Sequence, residues 1–164
     1  MSARRMVKKG FTLVEILIVV VILGILAAIV IPQFSDASMT AQASNLTSQL
    51  QTIRAQLELA QIQHQSIYPD LVGTGWGLLT AETDPTSTAA GVYTADDNDG
   101  DEVGPYLRQA PVNPFENSST CAAAAAAGVG WEYDQATGVI TASMLAADYA
   151  RVSNNIPATD VTTY

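Results

Sequence analysis

Near its start the chain reads Lys8-Lys9-Gly10-Phe11-Thr12-Leu13-Val14-Glu15, and an apolar run over residues 16–31 follows directly. As a helix, residues 11–31 would be about 31 Å long, which is enough to cross the hydrocarbon core of a bilayer. One carboxylate, Glu15, lies inside this segment. A charge there costs about 2.5–3.5 kcal/mol in a membrane, so Glu15 needs a partner.

Charge is distributed unevenly along the 164 residues, a length that allows one domain plus an anchor. Four basic residues and no acid lie in positions 1–10, whereas three basic and 16 acidic residues follow, a net charge of −13. This bias predicts a cytoplasmic N-terminus and an exported body. So acidic a body argues against a nucleic-acid groove, which needs clustered Lys and Arg.

Three interpretations of the apolar segment compete. A secretory signal peptide has a shorter apolar core, about 7–15 residues, followed by a small-residue cleavage site. A plain membrane anchor fits the length and the charge bias but gives Glu15 no role. Cleavage between Gly10 and Phe11, before the apolar run, would keep the helix in the mature protein and create a new amine at Phe11.

The third interpretation is the one that the residues favour. Residues 8–15 resemble the prepilin-type cleavage and methylation motif of type IV pilins and type II secretion pseudopilins. The resemblance implies that prepilin peptidase cuts after Gly10 and methylates the amine of Phe11. It also implies that Glu15 assists assembly by pairing with the N-terminal amine of a neighbouring subunit. Such a pair would offset the desolvation of the carboxylate inside a helical bundle.

Pro32 ends the apolar run and predicts a kink in the helix. Beyond it, apolar residues recur at alternating steps of four and three, and this stripe comprises Met39, Ala43, Leu46, Leu50, Ile53, Leu57 and Ala60. The stripe predicts packing against a sheet of the same chain, with a coiled coil as the alternative. We expect the helix to end near residue 66, before Tyr68-Pro69. His64 is expected to be solvated among glutamines.

The predicted organisation has four parts: a leader at residues 1–10, a transmembrane and filament-core helix at 11–32, an amphipathic helix at 33–66, and a small α+β head at 67–164. The fold class is therefore α+β and pilin-like, with the long N-terminal helix packed on a small antiparallel sheet. Residues 129–134 and 139–143 flank a turn that ends in Gly138 and predict a β-hairpin. The tail from about residue 153 is expected to be mobile.

Residues 69–118 are a long variable segment with two features of interest. Oxygen ligands are concentrated at Asp97, Asp99 and Asp101. An EF-hand match fails, because the first and twelfth positions of the loop would be Ala95 and Tyr106. A calcium site of another geometry and a solvated acidic turn are the two interpretations; no cofactor is required. Residues 104–115, with Tyr-Leu and then Asn-Pro, resemble the stretch before the sheet in the major, G-type pseudopilin.

The function that the resemblance implies is that of a non-enzymatic structural subunit. The main interpretation is a single-pass inner-membrane protein with a periplasmic head, which joins copies of itself and minor pseudopilins on an assembly platform to drive type II secretion. A type IV pilus subunit is the alternative, although the lone Cys121 cannot form the disulfide common in major pilins. From another class, a membrane-tethered domain could bind a ligand through Trp76, Trp131 or the acidic loop. No acid–base pair, nucleophile or phosphate loop indicates an enzyme.

Overall fold

The computed structural model describes residues 10–86, 93–95 and 100–164. It divides into two compact units, Met1–Ser38 and Met39–Tyr164. Helix α1, Leu13–Gln63, begins in the first unit and ends in the second. The second unit combines the end of this helix with short strands, which confirms the predicted α+β class.

In the first unit, α1 is apolar on all sides over residues 16–31. The large apolar side chains from Phe11 to Phe34 are between 40% and 82% exposed. Among the described residues, this is the one helix long and apolar enough to cross a membrane. The helix continues through Pro32, and the predicted kink there stays a prediction.

In the second unit, the predicted stripe forms the helical side of the core. From Ala43 to Ala60 its members are at most 1% exposed, and Met39 packs against them. Packing on a sheet of the same chain is therefore confirmed. The helix ends at Gln63, three residues earlier than expected, because Gln65 and Ser66 adopt left-handed backbone angles, with φ of 54° and 67°.

Four strands form the main sheet in the order β3-β4-β5-β6. They are β3 at Cys121–Ala122, β4 at Trp131–Asp134, β5 at Val139–Met144 and β6 at Val161–Thr163. Strands β4 and β5 form the predicted antiparallel hairpin, with Asp134 opposite Val139. Trp131 and Tyr133 on one face of β4 are buried, in the core that α1 shares.

The prediction of an antiparallel sheet is wrong at both edges. Strand β3 runs parallel to β4, and β6 runs parallel to β5, so the sheet is mixed. A parallel neighbour needs a crossover connection. Helix α3, Ala146–Val152, and a 3₁₀ turn at Ala158–Asp160 provide that connection between β5 and β6.

Where the structure describes the connection between α1 and this sheet, its elements are short. Helix α2 covers Gly77–Thr80, and strands β1, Thr83–Asp84, and β2, Thr94–Ala95, form a separate antiparallel pair. Two residues of this connection, Trp76 and Leu79, are buried in the hydrophobic core.

Two expectations about polar segments are wrong. The tail after residue 153 is ordered, because Ile156 is buried, Asp160 pairs with Arg54 at 2.8 Å, and β6 hydrogen-bonds to β5. His64 is fully buried rather than solvated, because it continues the core-facing stripe one residue beyond the end of α1.

Candidate processing and assembly site

The start of α1 is held by a reciprocal pair of hydrogen bonds. The backbone N–H of Glu15 donates to the Thr12 hydroxyl at 3.2 Å, and the backbone N–H of Thr12 donates to Glu15 Oε2 at 3.4 Å. This is a capping box, in which a Thr before the helix and a Glu three residues later satisfy each other's free N–H groups. Thr12 thus has a definite role that the motif alone does not indicate.

The bond between Gly10 and Phe11 lies just outside this cap. Helix α1 begins at Leu13, so residues 10–12 precede its hydrogen-bonded turns. Gly10 is exposed with no heavy atom within 4 Å of where a Cβ would be, and Phe11 is 81% exposed. A non-helical, exposed bond is the kind of substrate that a peptidase can bind in its cleft.

In the part of the chain that the structure describes, no ion pair includes Glu15. Within the described residues the ion pair that forms is Arg54–Asp160, far along the chain from Glu15. The positive end of the α1 dipole favours a carboxylate at this position. Both bonds that Glu15 Oε2 accepts, from the N–H and the hydroxyl of Thr12, are long at 3.4 and 3.5 Å. The carboxylate is therefore placed to accept from a stronger donor, such as an ammonium group.

Of the three predicted calcium ligands, the structure describes Asp101 alone. Asp97 and Asp99 lie outside the described residues, and Asp101 is exposed. Among the residues that the structure describes, no three His, Cys, Asp or Glu side chains are grouped to hold a metal. The calcium site stays a prediction.

Neither tryptophan offers a ring to a ligand. Trp131 is fully buried and donates its indole N–H to the carbonyl of Pro111 at 3.0 Å. Trp76 is 7% exposed, donates to the carbonyl of Ser119, and meets Trp131 edge to face. Both rings fill the core.

Asn113 is an organising residue that sequence reasoning missed. Its side-chain amide is fully buried and donates to the carbonyls of Gly130 and Ser143, while its oxygen accepts from the N–H of Phe115. The residue lies in the Pro-Val-Asn-Pro stretch that resembles the G-type pseudopilin. A polar residue between two prolines was the available signal.

Comparison with known proteins places the N-terminal segment in a known family. Residues 5–31 match the family model of the prokaryotic N-terminal methylation motif. The type IV major fimbrial protein FimA of Dichelobacter nodosus is 36% identical over 115 residues, 63% of this chain and 74% of that protein. The chain belongs to the type IV pilin-like family. Membership implies processing at the motif and a membrane-anchored, filament-forming structural protein.

Some relatives of this pilin-like chain are named as fimbrial proteins, and others are named as secretion proteins. The type II secretion system core protein G of Pseudomonas aeruginosa is 33% identical over 114 residues, 70% of this chain and 72% of that protein. A fimbrial protein of Pseudomonas aeruginosa is 42% identical over 60 residues, but the match covers only 37% of this chain and 39% of that protein. No solved structure gives a significant match.

Proposed function

We propose that this pilin-like chain is a structural subunit of a periplasmic pseudopilus that drives protein export by type II secretion. The observation that carries the proposal is the extent of the match to core protein G. That match covers 70% of the chain, more than the 51 residues of α1 can supply, so it reaches into the head. The single, buried Cys121 supports it further, since a major pilin commonly closes its C-terminal loop with two cysteines.

A type IV pilus subunit is the second candidate. The match to FimA is also longer than α1, so the head has features of both groups. Deleting the gene in the source bacterium separates the two. Loss of secreted enzymes from the culture medium with surface fibres retained supports the pseudopilus, whereas loss of fibres with secretion intact contradicts it.

Processing and anchoring form the second part of the proposal. Prepilin peptidase cleaves between Gly10 and Phe11, removes residues 1–10 and methylates the new amine of Phe11. Residues 11–32 hold the protein in the inner membrane with the head in the periplasm, until the assembly platform adds it to a filament of itself and minor pseudopilins. Exposure of the Gly10–Phe11 bond and the uncovered apolar side chains of α1 support this sequence of events.

Assembly then depends on Glu15. In the filament, the ammonium group of Phe11 in one subunit donates to the Glu15 carboxylate of the next, and the pair offsets the cost of burying either charge. The capping box supports this role, because it holds the carboxylate at the end of the helix, about one turn from the new N-terminus.

Replacing Glu15 tests the proposal. We expect Glu15→Gln, which keeps the size and removes the charge, to leave cleavage intact and to abolish most polymer, because the neighbour's ammonium group would be buried without a counterion. Intact mass should show loss of ten residues and gain of one methyl group, and sedimentation should show loss of filaments.

Two variants serve as controls for that experiment. Glu58→Gln removes an exposed charge from the same helix and should leave filaments normal. Gly10→Leu should retain the leader and provide the unprocessed reference. Normal filaments from Glu15→Gln would contradict the assembly role, and a shortened Gly10→Leu chain would contradict the cleavage site.

A further inference from the structure

His64 is the next member of the buried α1 stripe. The stripe advances by alternating steps of four and three, and four residues after Ala60 it reaches His64, just beyond the last helical residue Gln63. Its side chain is fully buried, although it is the sole histidine of the chain and a titratable group. The processing and assembly site makes no use of it.

Both ring nitrogens of His64 are hydrogen-bonded. Nδ1 lies 2.9 Å from the carbonyl oxygen of Ala60, and Nε2 lies 3.0 Å from the hydroxyl of Thr83. A carbonyl oxygen can only accept, so Nδ1 carries the proton and donates. In the neutral ring, Nε2 is then the acceptor for the Thr83 hydroxyl. This arrangement suits one tautomer of the neutral ring and joins α1 to β1.

Two tyrosines enclose the same ring. Tyr93 stacks face to face on His64, with centroids 3.6 Å apart and an interplanar angle of 8°, and its hydroxyl donates to the carbonyl of Ile67 at 2.8 Å. Tyr106 meets the ring edge to face at 6.2 Å, and its hydroxyl donates to Gln63 Oε1 at 2.7 Å. His64 therefore holds three separate parts of the connection, at residues 83, 93 and 106, against the end of α1.

Burial lowers the pKa of His64 below its ordinary value of 6.5, because a charged imidazolium would lose its hydration. The hydrogen bond to Ala60 and the nearby carboxylate of Asp84 on β1 act in the opposite direction but are smaller. Among the described residues, the other titratable groups against the ring are the two tyrosines. Burial raises the pKa of Tyr106 to about 12 and raises that of Tyr93 also, so both stay neutral in acid.

We infer that His64 is an acid-sensitive clasp, which holds β1 and Tyr93 on the end of α1 while its ring is neutral and releases them when the ring is protonated. The clasp is local, since the β3–β6 sheet makes no hydrogen bond to His64 among the described residues. Acid outside the cell membrane would then open the connection without unfolding the rest of the head.

The direction of the pH effect follows from linkage. The open state, with an ordinary pKa, binds a proton more readily than the closed state, so closure weakens as pH falls below 6.5 and stops changing below the closed-state pKa. From about one pH unit above 6.5, the ring is neutral in both states and pH has almost no effect through it. As the pH falls from 6.5 to the pKa of the closed state, the equilibrium constant for opening should rise by up to about tenfold per pH unit.

Nitrogen-15 labelling of histidine tests the clasp directly in the full chain in detergent. Because the chain has one histidine, the spectrum contains one imidazole, which reports both its tautomer and its pKa. We expect the Nδ1-protonated neutral form at pH 7.5 and a titration midpoint below 6.5. Hydrogen exchange, corrected for the intrinsic pH dependence, should increase in acid for peptides that contain Thr83 and Tyr93, and not for β4–β5 peptides.

Two variants connect the opening to the ring. His64→Phe keeps the aromatic stack and cannot titrate, and His64→Gln keeps a polar partner for Thr83 without the stack. In whichever of them folds, the pH dependence of exchange near Thr83 and Tyr93 should disappear. A midpoint at or above 6.5, equal exchange at pH 5 and 7.5 in the unaltered protein, or the same pH dependence in a folded variant would each overturn the inference.

Discussion

Single residues with complete hydrogen bonding hold the irregular parts of this head together. Asn113 is the main example, since its amide joins the proline-rich stretch to β5 and to the residue before β4. The backbone also approaches closely at Gly130. A Cβ there would overlap the carbonyl oxygen of Ser118, which accepts a hydrogen bond from the N–H of Asn113. The Asn113 side chain and the close contact at Gly130 together hold this loop in place of the hydrogen bonds of a regular strand ladder.

Asn113→Ala should lower the free energy of unfolding by about 2–3 kcal/mol, because it leaves the N–H of Phe115 and two carbonyl groups without this partner in a buried site. Urea denaturation of the two proteins measures the difference. Asn154→Ala is the matched control, since Asn154 is exposed, and it should change stability by less than about 0.5 kcal/mol. Equal effects of the two substitutions would contradict the role of Asn113.

The burial of single residues was predicted correctly where the apolar periodicity was strong. It was predicted wrongly where polar neighbours in the sequence suggested solvent exposure. The stripe from Met39 to Ala60 was predicted from its steps alone, and continuing the same steps by four would have placed His64 in the core. The glutamines around His64 suggested solvent instead. Helical phase decides burial more reliably than neighbours in sequence, because adjacent residues lie on different faces.

Among the elements, the C-terminal segment is joined to α1 by a forked contact of Arg54. Arg54 Nη1 lies 2.8 Å from Asp160 Oδ1, and Arg54 Nη2 donates to the carbonyl of Ile140 at 2.9 Å. One guanidinium group therefore joins the helix, β5 and the 3₁₀ turn before β6. The Arg54 side chain is 35% exposed and that of Asp160 13%, so solvent screens the pair in part.

Arg54→Met should cost about 1–2 kcal/mol of unfolding free energy, because it leaves the Asp160 carboxylate in a largely buried place without its cation. A double-mutant cycle with Asp160→Asn isolates the coupling, and Arg151→Met removes an exposed cation as the control. A coupling free energy near zero would contradict this role and would show that β6 is held only by its backbone hydrogen bonds to β5.

Strand length explains which elements were predictable. The β4–β5 hairpin has four and six residues and a glycine-terminated turn, which is enough for alternation to be visible. Strands β3 and β6 have two and three residues, too few for any period, and the direction of an edge strand depends on its connection. The parallel edges therefore could not be predicted from local pattern. At the candidate processing site, the order of residues was enough to predict the family, whereas the Thr12–Glu15 capping bonds required coordinates.

At the scale of the whole molecule, the processed chain would carry a net charge of −13, with three basic residues in 154. Copies of such a protein repel each other, and salt screens the repulsion. Apolar association of α1 must overcome this repulsion whenever subunits assemble.

Reassociation of processed subunits from detergent should therefore increase as ionic strength rises from 0.01 to 0.15 M, where the screening length falls from about 30 to about 8 Å. Sedimentation of the polymer measures it. A double variant, Glu58→Gln with Glu82→Gln, removes two exposed acids and should require less salt for the same yield. Greater yield at low salt would mean that attraction between unlike charges dominates assembly instead.

The contact between Arg54 and Asp160 also has a consequence for folding kinetics. It joins residues 106 positions apart, and β6, which follows Asp160 directly, is the last strand that the structure describes. Contacts between distant residues slow folding, because loop-closure entropy is lost before they form. The head therefore reaches its native state only after residues 160–163 have been synthesised. Until then the apolar stripe of α1 lacks part of its covering sheet, so this interval is the period in which the protein is most exposed to aggregation and proteolysis.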